Sequence, residues 1–111
     1  MVLMAVKQVN KLVRDKIPGI IGETGATPNF RLLDDKEFLD ALNDKLLEEV
    51  EEYKKEKNLE ELADILQVIC TISEVIGGGQ RELEYLRDEK AMESGRFDMH
   101  VFLESVEDKK L

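Results

Sequence analysis

Apolar side chains recur between residues 38 and 53 on one helical face, as Phe38, Leu39, Leu42, Leu46, Val50 and Tyr53, with charge on the opposite side. Asp34 or Asp35 precedes this run as a cap, so the pattern predicts a long amphipathic helix ending near Lys57. Asn58 then restarts the chain as a second cap. A strongly apolar helix is predicted from Leu59 to Ile76, closed by Gly77, Gly78 and Gly79. Another from about Gln80 to Ser94 carries Leu83, Leu86 and Ala91 and stops at Gly95. Upstream, Asp15 as a cap and Pro18 in the first turn predict a short helix within Asn10 to Glu23, ending near Gly25. Phe97, Met99, Val101 and Leu103 alternate with Asp98, His100, Phe102 and Glu104, the two-residue period of a strand that pairs with Phe30 to Leu33. The short connection at Asn58 makes the two main helices antiparallel neighbours. The predicted fold is therefore mainly α, an antiparallel helical bundle with a small two-stranded β element.

A chain of 111 residues that is 42% hydrophobic suits one domain spanning residues 1–111. Its apolar opening stops at Lys7, too short for a signal-peptide core or a membrane span, and residues 1–9 read as a loose or strand-like terminus. No membrane partner is expected. A formal net charge of -9 argues against a nucleic-acid polymer as partner. The single cysteine, Cys70, allows no intrachain disulfide, which fits a cytoplasmic location. The helix from Leu59 is apolar around more than half its circumference, more than one small chain readily buries, and this points to self-association.

The candidate chemistry lies in two acidic pairs, Glu49/Glu52 and Glu61/Asp64. A three-residue spacing sets two side chains about 60° apart on one helical face. Glu61 aligns with Ile65, Val68 and Ile72 on the apolar side of its helix, and Glu49 flanks Leu46 and Tyr53. Carboxylates drawn toward an apolar interior are costly unless neutralised, and a hard cation would resolve the conflict. Oxygen-only ligation suits Mg²⁺, with Mn²⁺ as the alternative, better than zinc. Two blander readings stand beside this one. Asn58 and Glu61 match a capping box, and Glu49/Glu52 match a solvated face paired with nearby lysines.

The run Lys45 to Glu52 followed by Glu61 to Val68 resembles the EExxE and ExxD signatures of the MazG-like all-α nucleoside triphosphate pyrophosphohydrolases. Asn10 to Pro18 resembles the N-terminal signature of that family's single-domain phosphoribosyl-ATP pyrophosphohydrolase-like subgroup, and Glu89 to Leu103 resembles its C-terminal segment. The resemblance implies hydrolysis of the bond between the α and β phosphates of a nucleotide, with Mg²⁺ held by Glu49, Glu52, Glu61 and Asp64. It implies proton acceptance by Glu48 or Glu49, and phosphate contacts from Arg14, Lys16 and Lys90. It also implies a homodimer or a dimer of dimers. Two positions depart from the subgroup: Ser94-Gly95-Arg96-Phe97 stands where Arg-Gly-Gly-Phe is usual, and Gln67 stands where an acid is frequent.

Two other readings compete with nucleoside triphosphate hydrolysis. One is phosphoribosyl-ATP as the substrate. The other is a non-catalytic acidic helical module that dimerises. His100 reads as an edge-strand residue, Cys70 as a packed thiol and the glycine run as a helix terminator, since no Lys-Ser/Thr of a P-loop follows it.

Overall fold

The structure, a computed structural model, describes residues 5–109, so part of the predicted N-terminal segment, Met1 to Met4, lies outside the described residues. Four helices follow one another: α1 (Ile17–Glu23), α2 (Asp35–Glu56), α3 (Leu59–Ile76) and α4 (Gly79–Ser94). Local capping decides where the two long ones begin. The Asp34 carboxylate accepts the Glu37 amide at 2.9 Å, and the Asn58 side chain accepts the Glu61 amide at 2.9 Å. Between them Lys57 adopts the left-handed conformation, φ 49° and ψ 49°, and its amide donates to the Tyr53 carbonyl. That αL residue ends α2, and Asn58 starts α3 at once. Asn58→Ala is expected to lower stability by about 1 kcal/mol and Asn58→Asp to preserve it, read by urea denaturation.

After α3 the chain turns at Gly77, Gly78 and Gly79, all at positive φ. Gly78 sits at φ 94°, a conformation side-chain-bearing residues rarely adopt, so conformation requires glycine there; the Glu82 carboxylate that a Cβ would meet is the movable end of its side chain. The turn leaves α4 bent by 108° from α3.

α2 packs against α3, and α3 against α4. The stripe foreseen on α2 faces inward, with Leu42 buried and Phe38, Leu46, Val50 and Tyr53 half-buried. Val68 of α3 is the only other buried apolar side chain among the described residues. The described chain extends 79 × 31 × 28 Å with a radius of gyration of 20.3 Å, against about 13 Å for a compact chain of this length. Apolar surface is left over in consequence. On α3, Leu59 (81% exposed), Leu62 (42%), Leu66 (52%) and Ile76 (67%) stay exposed on one heptad line, which passes through half-buried Ile69 and buried Ser73. No single helix among the described residues is long and apolar enough to cross a membrane.

Two sequence expectations differ from the structure. Asp15 does not cap α1: Lys16 holds that position with no side-chain cap bond. The Ile17 amide instead closes a turn onto the Arg14 carbonyl, and Pro18 removes one of the amides a cap would serve. Nor is there a strand among the described residues at 30–33 or 97–104. The His100 amide turns back toward the Phe97 carbonyl and His100 sits at φ 58°, which breaks the extended backbone that alternation requires.

Candidate metal centre

The site grows from the face that α2 and α3 share. Glu49 follows Leu42 by seven residues on α2, so it takes the same inward direction and is only 9% exposed. On α3, Glu61 and Asp64 precede Val68 by seven and four residues and share its face. One carboxylate oxygen from each of Glu49, Glu61 and Asp64 lies within 4.8 Å of the other two. Glu52, the fourth expected ligand, is exposed and falls outside this set. Its charge still reaches the site: burial, then the neighbouring Asp64, Glu49, Glu52 and Glu56 charges, raise the Glu61 carboxyl above its ordinary value.

The capping alternative for Glu61 is half realised. Asn58 caps the Glu61 amide, but no bond runs from the Asn58 amide back to the Glu61 carboxylate, which points to Glu49 and Asp64 instead.

Basic residues meet the acids from two directions. Lys45, one turn before Glu49, lies 3.3 Å from Glu49 Oε1 and 3.5 Å from Glu48 Oε1. The N-terminal segment crosses both helices as a strap: Lys11 Nζ donates to Glu48 at 3.0 Å, and Arg14 Nη2 donates to Asp64 Oδ1 at 2.8 Å. Arg14, expected to meet phosphate, is here brought beside the carboxylates and paired with Asp64. Lys16 stands at the start of α1 and Lys90 on the exposed side of α4, and neither lines the groove under the strap.

Glu48 belongs to the strap anchor. Its hydrogen bond from Lys11 holds the carboxyl below the ordinary value, and the same bond raises Lys11. A carboxyl lowered by folding adds stability that is complete above its unfolded pKa and is lost as pH falls through the folded one. The Lys11 tie should therefore strengthen the fold at neutral pH and fail in acid. Carboxyl NMR titration should give Glu48 a midpoint below that of a glutamate in a short peptide, with Lys11→Ala returning it upward.

A groove of about 360 Å³ opens beside the carboxylates. Its walls carry Phe38, Leu42, Lys45 and Glu49 from α2, Asp64, Gln67, Val68 and Thr71 from α3, and the strap closes it with Leu12 to Asp15. Sequence reasoning passed over Lys11, Phe38 and Thr71. The signal for two of them was present in the spacing, since Phe38 and Thr71 lie at helical intervals from Glu49 and Asp64 on the inward faces. For Lys11 only the fold brings the partner, 37 residues away.

The donor set fits a hard divalent cation. Three carboxylate oxygens supply half of an octahedral shell of about six and leave the remainder to water or a ligand's oxygens. Comparison with family models, curated proteins and solved structures finds no match for this chain.

Proposed function

We propose that this chain is a Mg²⁺-dependent nucleotide pyrophosphohydrolase of the MazG-like all-α kind, cleaving a nucleoside triphosphate between its α and β phosphates. The observation that carries this reading is the convergence of Glu49, Glu61 and Asp64 at a groove that also presents Arg14 and Lys45. Acids able to hold a cation, with cations beside them, suit a ligand that is itself polyanionic. A bound Mg²⁺, or Mn²⁺ in its place, would neutralise phosphate oxygens as charge develops on them. Glu49, Glu61 and Asp64 would hold it, with Glu52 reaching in from the solvent side.

Arg14 and Lys45 orient the phosphate chain through charge-assisted hydrogen bonds. Water bonds to phosphorus, the bridging oxygen leaves with the other phosphoryl group, and the water's proton passes to a carboxylate. Glu49 suits that last role better than Glu48: both pair with Lys45, but Glu48 is also held by Lys11 and lies outside the three-oxygen set. Lys16 and Lys90 carry no weight in this reading.

The test is pyrophosphate release from a panel of nucleoside triphosphates, with phosphoribosyl-ATP included as the alternative substrate. Release that requires Mg²⁺ is expected, and its absence across the panel at micromolar protein would overturn the proposal.

The exposed stripe on α3 favours a further element: a second copy packs there and completes an antiparallel helical bundle. A non-catalytic dimerising module would share that interface but lack the cation site. Thermal unfolding separates the two, because Mg²⁺ or Mn²⁺ at a hundred times its dissociation constant adds about 2.7 kcal/mol to a folded state that binds it.

A further inference from the structure

The groove beside the carboxylates is chemically divided along its length. On α2 the lining runs from Glu49 and Lys45 to Leu42 and Phe38; on α3 it runs from Asp64 to Gln67, Val68 and Thr71. The charged side chains of the two helices lie toward one end; Gln67 stands one turn beyond Asp64, about 4.5 Å along the axis, and the Phe38 ring and Thr71 hydroxyl lie further on. Seven residues of helix separate Asp64 from Thr71, roughly 10 Å. A volume of about 360 Å³ is within the range of small-molecule sites.

Along α3 the groove holds its neutral polar groups in a set order. The Thr71 hydroxyl donates to the Gln67 carbonyl at 2.9 Å, and Gln67 Nε2 donates to Thr71 Oγ1 at 3.3 Å. Thr71 thereby fixes which way the Gln67 amide faces. One Nε2 proton and the carbonyl oxygen Oε1 remain to meet a ligand, an adjacent donor and acceptor that match the complementary edge of a heterocyclic base. Phe38, half-buried beside Leu42, offers an apolar surface to the flat face of the same ring.

We propose that this end of the groove is a nucleobase pocket in which Gln67 reads the base edge, Thr71 positions Gln67 and Phe38 packs against the ring, so that the nucleotide lies with its phosphates toward Glu49 and Asp64. The proposal rests on the nucleotide reading above and adds the residues that select the base.

Calorimetry decides it, using nucleoside triphosphates of the four bases with Ca²⁺ in place of Mg²⁺, the matching nucleosides, and tripolyphosphate, which lacks a base. Wild type should prefer some bases over others. Gln67→Leu should weaken the preferred nucleotide and nucleoside by about tenfold and flatten the preference, with tripolyphosphate affinity unchanged. Thr71→Val should flatten it likewise and Thr71→Ser restore it, a rescue that a packing role for Thr71 would not give. Gln67 is exposed, so the core survives its replacement.

An unchanged preference in both Gln67→Leu and Thr71→Val overturns the proposal, as does wild type binding neither nucleoside nor nucleotide. Nucleosides bound in a Gln67-dependent way, with tripolyphosphate ignored, would support the pocket and sink the phosphate-hydrolysis reading instead.

Discussion

Glu49→Ala and Asp64→Ala are each expected to reduce Mg²⁺-dependent pyrophosphate release by at least roughly 10²- to 10³-fold, the scale on which removal of one electrostatic contact to a transition state is felt. Each substitution removes one of the three mutually close oxygens and leaves a pair. Folding should survive both. In Glu49→Ala the Lys45 ammonium keeps Glu48 as its partner, so no buried charge is orphaned. In Asp64→Ala the freed Arg14 is largely in solvent, with 58% of its side chain exposed. Glu48→Ala is the informative control, since that carboxylate anchors the strap and lies outside the three-oxygen set. It should retain most of the activity. Manganese binding measured by calorimetry should fall in step with activity for Glu49 and Asp64 and stay near wild type for Glu48; the opposite ranking would assign the cation elsewhere.

Leu66→Glu is expected to break a dimer into monomers and to lower the denaturation midpoint. Only Leu42 and Val68 are buried apolar side chains among the described residues, a small core for helices of this length. Leu59, Leu62, Leu66 and Ile76 offer the missing contact along one side of α3. Burying one leucine side chain contributes about 1.5–3 kcal/mol, and a pair related by twofold symmetry is changed twice by one substitution. Analytical ultracentrifugation should show wild type as a dimer or larger and Leu66→Glu as a monomer. Wild type that sediments as a monomer over the whole concentration range would refute the interface.

The two long helices were legible because their signals are local. Apolar spacing and the side chains of Asp34 and Asn58 act within one turn of the residues they organise, so the boundaries near Asp35, Leu59 and Ile76 could be read directly. The strand at 97–104 was misread for the complementary reason. Alternation records which residues would share a face if the backbone were extended, and it does not report whether a ladder partner is present or whether His100 turns into the left-handed region. At the site, spacing singled out Glu49 and Glu61 as carboxylates drawn toward the apolar faces, but it kept Glu52 as a fourth ligand. Only packing of α2 against α3 separated the three close carboxylates from exposed Glu52.

What the sequence by itself determined, then, is the mainly helical character, the ends of α2 and α3, and the presence of acids on the faces those helices turn inward. Those properties follow from periodicity and from caps that bond to neighbouring amides. The tertiary structure decided the rest: which three carboxylates come within 4.8 Å, that Arg14 reaches Asp64 across 50 residues of chain, and that Lys11 ties Glu48 to the strap. Ion pairs and ligand sets between distant residues leave no periodic trace in a single sequence. They exist only once the strap has crossed two helices whose relative rotation is set by the burial of Leu42 and Val68.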